Sequence, residues 1–201
     1  MNISVIVLAA GLSRRMGLEN KLLLPFEGKT ILETTIEQLL AAQIGLISVV
    51  VGHEKELVKS ILKQYDPLSI IENLDYKLGM TSSIQAGVRA SMGNDFMICL
   101  SDMPLIQPNE YQRLRNNFIE IKKQDEYAVI QPVFKEKQGN PVIFSNFYQN
   151  FILNNENTEG CKPIVQAHKQ HVYRIEMPSD SVLLDADTKE DYAKLLLRMV
   201  K

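Results

Sequence analysis

Residues 3–11 read ISVIVLAAG, a run of apolar and β-branched residues interrupted only by the small Ser4 and ending in two alanines and a glycine. A strand with one wet face alternates polar and apolar positions, so a continuous run belongs in a parallel sheet covered on both sides. Ile47–Val51 (ISVVV) and Phe96–Leu100 (FMICL) repeat the pattern, and Ile70-Ile71 is a shorter instance. Between these runs lie segments of helical period: Ile31–Ala42, Glu54–Gln64, Ser82–Ser91 and Pro108–Ile121. The last carries proline in its first turn, where the missing N–H costs nothing. Strand and helix alternate, which predicts an α/β fold, a Rossmann-like three-layer α/β/α arrangement around a mostly parallel sheet. Right-handed crossovers place the loops after the strands along the carboxyl edge, where open α/β sheets bind ligands.

From Tyr127 the rhythm changes. YAVIQPVF (residues 127–134), a charged turn over Lys135–Gly139 and PVIFS (141–145) predict a hairpin-like excursion instead of another βα unit. Thr188–Val200 predicts a closing helix, with a Thr cap, acidic residues in its first turn and Lys and Arg later. The 201 residues are expected to form one domain.

Bulk composition excludes several classes. With 22 basic against 24 acidic residues and a formal charge of -2, there is no footprint for an extended nucleic-acid partner, so any phosphate binding is local. The N-terminal apolar run is too short for a membrane span and lacks the flanks of a signal peptide. Cys99 and Cys161 make neither a disulfide framework nor a metal cluster. These features predict a cytoplasmic protein.

The loop after the first strand, LAAGLSRRMGLENKLLLPF, combines small residues with cations. Leu8, Ala9, Ala10 and Gly11 leave the backbone free to face a ligand, and a loop of this kind wraps polyphosphate oxygens through its amides. Arg14, Arg15 and Lys21 supply positive charge. Walker A (GxxxxGK[ST]) and dinucleotide (GxGxxG) patterns are both absent. Gly79, Met80, Thr81, Ser82 and Ser83 place hydroxyls at a helix start, more than one cap requires. In SDMPLI (101–106), Asp102 emerges at the carboxyl end of a strand, and one well-placed carboxylate suffices for Mg²⁺ held together with substrate phosphates. In LLDADTKED (183–191), Asp185 and Asp187 share one face if extended, and either completes the metal shell. His53, His168 and His171 are each expected to be structural.

These segments resemble the MobA-like nucleotidyltransferases, and among them most closely the molybdenum cofactor cytidylyltransferases. The resemblance rests on LAAG, Ser13, Arg15-Met16-Gly17 and KLLLP in the first loop. It extends to GMTSS against a family GMSSS, SDMP against GDMP and DADTKED against DxDTPED. It implies the nucleotide-diphospho-sugar transferase type of fold. Arg15 and Lys21 would hold the phosphates, with Arg14 at a variable surface position, and Asp102 would hold Mg²⁺, with Asp187 slightly favoured over Asp185 as its second ligand. Gly139, Asn140 and Pro141 look like the family's GHP, and Lys162 is a candidate for the acceptor phosphate. On this reading residues 1 to about 125 bind the nucleotide and residues from about 126 to 201 bind the acceptor. The implied reaction transfers a nucleoside monophosphate to a molybdopterin-type acceptor and releases pyrophosphate, yielding a cofactor for a molybdenum hydroxylase. Guanylyl-transferring relatives carry Gly-Gly where this chain has Ala9-Ala10, which favours CTP. A sugar- or polyol-phosphate nucleotidyltransferase is the rival within the fold, and a non-catalytic molybdenum cofactor chaperone is the rival from another class.

Overall fold

The computed structural model describes residues 3–17, 19–91 and 94–198. Its strands are β1 (Ile3–Ala9), β2 (Pro25–Phe26), β3 (Lys29–Thr30), β4 (Leu46–Val51), β5 (Ser69–Glu72), β6 (Asp95–Leu100), β7 (Val129–Phe134), β8 (Lys137–Gln138), β9 (Val142–Phe144) and β10 (Val172–Glu176). Its helices are α1 (Ile31–Ala42), α2 (Lys55–Leu62), α3 (Met80–Ala90), α4 (Pro108–Lys122), α5 (Gln149–Leu153), α6 (Lys162–Ala167) and α7 (Lys189–Arg198). The expected closing helix is therefore present, and Met199 and Val200 lie outside the described residues. No described helix is long and apolar enough to cross a membrane.

The alternation of strand and helix builds a mixed, mostly parallel sheet in the order β10-β7-β9-β6-β1-β4-β5, with β8 attached to β7. The first strand is sandwiched as its sequence requires. Val5, Val7 and Ala9 enter one core cluster with residues of α1, α2 and α4, and Ile6 enters another with residues of α3, α5 and α6. These are the two covering layers. Removing each such valine or isoleucine from water contributes roughly 1.5–3 kcal/mol, which is why the apolar run cannot alternate.

The region after Tyr127 differs from the expected excursion. β7 and β9 do pair antiparallel, but β9 also pairs antiparallel with β6, so it is built into the middle of the main sheet. The tight hairpin is β7–β8, where Phe134 faces Lys137 across Lys135 and Glu136, both at positive φ. Two successive positive-φ residues match the twist of the strands they join.

Local chemistry fixes the helix starts. Thr30 caps α1 by accepting from the Glu33 N–H at 3.2 Å, while Glu33 accepts from the Thr30 N–H at 2.8 Å. Buried Glu110 accepts from the Gln107 N–H at the start of α4 and also from the hydroxyls of Ser179 and Ser181. It thereby anchors the segment that leads to Asp185.

Candidate active site at the carboxyl edge of the sheet

Two cavities open along the edge where β1 and β6 end, and Met80 and Leu100 line both. The smaller, of 430 Å³, is lined by the loop after β1, by Ser101 and Asp102 after β6, by the turn before α3, and by Asp185 and Asp187. Three hydrogen bonds to backbone carbonyls tie the loops at this edge together. The Ser101 hydroxyl donates to the Leu8 carbonyl at 2.6 Å, the Ala186 N–H donates to the Asp102 carbonyl at 3.1 Å, and the His53 N–H donates to the Ala10 carbonyl at 3.4 Å.

Lys21 is held in place before its charge is considered. Asn20 is buried, accepts from the Leu22 N–H at 3.1 Å and donates to Glu54 at 2.9 Å, while Ser13 Oγ accepts from the Lys21 N–H at 3.3 Å. The Lys21 ammonium then donates to Asp102 and, at 2.7 Å, to Asp187. Arg15 donates to the other Asp187 oxygen at 2.6 Å. Four of the residues singled out in the sequence as phosphate grip and metal ligands, Arg15, Lys21, Asp102 and Asp187, thus form one connected network. Burial alone would lower the Lys21 pKa, but Asp102 and Asp187 keep it above its ordinary value. Burial likewise pushes Asp187 up, and the Lys21 hydrogen bond and the Lys21 and Arg15 charges hold it below the usual carboxylate range.

Asp102, Asp185 and Asp187 each present a carboxylate oxygen, and these oxygens lie within 4.8 Å of one another. Asp185 and Asp187 face the same cleft while Ala186 between them is buried in a separate cluster, as an extended backbone dictates. Burial, then the charges of Asp102 and Asp187, push Asp185 up to about 6. Three hard oxygen donors crowded this closely suit a divalent cation such as Mg²⁺ or Mn²⁺.

Of the residues expected to bind the nucleotide, Leu8, Ala10, Gly11, Gly79, Met80 and Ser83 line this smaller cleft, and Arg14 lies exposed at its rim. Ala9 does not line it, because its side chain belongs to the core cluster on the opposite face of β1. Thr81 and Ser82 are engaged elsewhere. The Thr81 hydroxyl donates to the Asn157 carbonyl and accepts from the Gly160 N–H, and Ser82 donates to the carbonyls of Asp75 and Gly79. Their hydroxyls tie α3 to its flanking turns. Tyr76 and Lys77 also line the cleft, although neither stands out in the sequence. Gly52 lets Tyr76 close on the loop, since a Cβ there would stand 2.6 Å from the Tyr76 Cβ and 2.9 Å from that of Ala10.

The larger cavity, of 850 Å³, contains Gly139, Asn140 and Lys162 from the expected acceptor side, but not Pro141. It also contains Gln131, Lys169 and Arg174, which the sequence did not single out because isolated polar residues on strands and turns carry no local signal. Gly139 is pressed on the backbone: a Cβ there would come within 2.3 Å of the Val182 carbonyl oxygen. The Asn140 N–H donates to that same carbonyl at 3.0 Å. His168 contacts the Ile164 carbonyl at 2.9 Å and His171 the Asp125 carboxylate at 2.8 Å, both local structural roles.

Residues 5–172 match the family model described as the MobA-like NTP transferase domain. The chain is similar to the molybdenum cofactor cytidylyltransferase of Escherichia coli (strain K12), at 28% identity over 94% of this chain and 93% of that one. It is also 36% identical, over 52% of its length and 48% of the relative's, to a probable molybdenum cofactor guanylyltransferase of Methanosarcina mazei. Among solved structures, a nucleotidyl transferase from Methanothermobacter thermautotrophicus superposes with a TM-score of 0.83 at 23% identity, covering 99% of this chain and 98% of that one.

Proposed function

The chain belongs to the MobA-like NTP transferase family and is a nucleotidyltransferase; from that premise we propose that it transfers CMP from CTP to the phosphate of molybdopterin or its molybdenum-loaded form. One observation carries this reading. The phosphate-gripping cations and the carboxylate cluster share one cleft, and that cleft adjoins a second, larger cavity with three cationic side chains in its wall.

In the reaction an acceptor phosphate oxygen attacks the α-phosphorus of the nucleotide. The bond from the α-phosphorus to the bridging oxygen breaks, and pyrophosphate departs with the electron pair. No nucleophile and base pair is needed, because such transfers are catalysed by positioning and electrostatics. Backbone amides from Ala10 onward, with Arg15 and Lys21, bind the triphosphate and stabilise the leaving pyrophosphate. Asp102, with Asp187 or Asp185, would hold Mg²⁺, which neutralises phosphate charge when bound. Gly139, Asn140 and Lys162 position the acceptor, so that residues beyond about 126 act as the acceptor side of a single domain. Ala10 beneath Tyr76 favours CTP by narrowing the cleft. The product would serve a molybdenum hydroxylase in the cytoplasm.

The test is pyrophosphate release with each of the four nucleoside triphosphates, Mg²⁺ and molybdenum cofactor. Release dependent on CTP and on the cofactor supports the assignment. Release with a sugar or polyol phosphate instead reassigns the acceptor, and no release with any pair removes the reading.

A further inference from the structure

Helix α3 carries Thr81 and Gln85 on one face, since residues four apart in a helix lie one above the other. Together they clamp the loop that joins α5 to α6. Gln85 Nε2 lies within hydrogen-bond distance of the carbonyls of Ile152, Leu153 and Asn155, at 3.1, 3.2 and 2.9 Å, which fixes the start of the loop. The Thr81 hydroxyl fixes its far end, donating to the Asn157 carbonyl and accepting from the Gly160 N–H at 3.0 Å. Between these points the loop closes on itself, because Asn155 Nδ2 donates to the Gly160 carbonyl at 2.7 Å. Gly160 is pressed on α3 at φ +65°, where a Cβ would stand 3.2 Å from the Ile84 side chain and 3.3 Å from the Met80 sulfur.

This clamp joins the walls of the two cavities. Gly79, Met80 and Ser83 at the start of α3 line the smaller cleft, while Glu159, Cys161 and Lys162 at the end of the clamped loop line the larger. Thr81 lines neither, so its hydroxyl serves both walls only by holding one to the other. Gly79 starts α3 without a side-chain cap, which leaves the first turn, and Thr81 on it, prone to fray.

We propose that Thr81 is a positioning residue that couples the cavities: a nucleotide seated against the first turn of α3 fixes the Thr81 hydroxyl, and the hydroxyl fixes the loop that walls the larger cavity. The inference rests on the reading of the smaller cleft as a nucleotide site, and it adds the residue through which occupancy of that cleft reaches the other. The loop leaves α3 either when the two hydrogen bonds of Thr81 break or when a frayed first turn carries Thr81 away with it. A bound nucleotide closes the second route, so the loop opens less often although it lines the other cavity. Valine has the shape of threonine without the hydroxyl, so Thr81→Val removes the link, whereas Thr81→Ser keeps it.

Hydrogen–deuterium exchange read by mass spectrometry tests this without any acceptor. One peptide, over residues 8–17, reports nucleotide binding, and a second, over residues 155–161, reports the clamp. Both are followed with and without saturating Mg²⁺ and each of the four nucleoside triphosphates. In wild type and Thr81→Ser, the nucleotide that protects the first peptide slows exchange in the second by about fivefold or more, the lower end of ordinary coupling between sites. In Thr81→Val the first peptide is still protected, and the second exchanges fast with or without nucleotide. Gln85→Ala loosens the start of the loop but keeps the hydroxyl, so its second peptide exchanges faster in both states and retains the nucleotide response. Binding in wild type that leaves residues 155–161 unchanged overturns the proposal and leaves the transferase reading intact. A response that survives in Thr81→Val, or that Gln85→Ala abolishes as well, overturns the role of Thr81. Failure of all four nucleotides to protect residues 8–17 removes both readings. The wild-type comparison holds even where Thr81→Val fails to fold, and Thr81→Ala then takes its place.

Discussion

Lys21 and Asp187 stand 166 positions apart in the chain, yet the ammonium and the carboxylate oxygen meet at 2.7 Å. The first loop and the segment before the last helix therefore neutralise one another. Under the proposed function, a triphosphate would compete with Asp187 for Lys21 and Arg15, and a divalent ion would compete with Lys21 for Asp102 and Asp187. Arrival of both resolves both competitions at once, because each cation then faces an anion.

Removal of this charge is expected to be costly. Lys21→Ala and Asp102→Asn should each lower turnover by about 10²-fold or more, as loss of preorganised electrostatic stabilisers does in other enzymes. Steady-state pyrophosphate release measures this, and near-normal rates in both variants would refute the assignment of the cleft.

The carboxylate cluster predicts a metal-dependent stability. Mg²⁺ or Mn²⁺ should raise the melting temperature of the wild type, and a chelator should return it to its starting value. Asp185→Asn should shrink that increment and stabilise the metal-free protein, since it relieves repulsion among three carboxylates within 4.8 Å. If added ion moves wild type and variant equally, Asp185 is not a ligand.

A pH effect is expected far from the cleft. Asp125 is pushed up by burial, but the His171 ring, the Tyr127 N–H and the Tyr173 hydroxyl hold it below its ordinary value. A carboxyl lowered on folding stabilises the protein above its unfolded pKa, and that stability is lost as pH falls through the folded value. Urea midpoints of wild type and Asp125→Asn should therefore differ at neutral pH and converge progressively below about pH 4. A gap that persists unchanged into acid contradicts this account.

Gly139→Ala should be destabilising by roughly 1–3 kcal/mol, because the new methyl meets the fixed backbone of Val182 instead of a movable side chain. Where the variant folds, KM for the acceptor should rise more than KM for the nucleotide. Equal effects on both substrates would mean that this turn does not shape the acceptor cavity.

Base selection should respond to Ala10 and not to Ala9. Ala10→Gly widens the space beneath Tyr76, so the CTP to GTP ratio of kcat/KM should fall, whereas Ala9→Gly acts in the core and should cost stability without moving that ratio. An unchanged ratio in Ala10→Gly would place selection elsewhere.

The elements that bury both faces were legible from sequence alone. Continuous apolar runs announced β1, β4 and β6, and helical period with a proline start announced α4. The position of β9 was not legible, because strand order depends on pairing between distant segments that leave no local mark. The same division holds in the site. Lys21 and Asp102 lie in segments whose composition betrays their chemistry, and the structure joins them. Thr81 looked like a ligand group, and its hydroxyl is taken by the loop carrying Asn157 and Gly160, a contact 76 positions away in the chain. Gln131 passed as an ordinary strand residue, since only the tertiary structure reveals that none of the described residues satisfies its oxygen.

Because β9 is wedged between β6 and β7, the region after Tyr127, the proposed acceptor side, is not a detachable cassette. Exchange of the C-terminal third between relatives would replace a middle strand of the sheet and, with it, the hydrogen-bonding edge on which β6 and therefore Asp102 depend. Under the proposed function, acceptor preference should accordingly drift by point changes around the larger cavity, while wholesale recombination at that boundary dismantles the cleft of Lys21 and Asp102 together with the part being swapped.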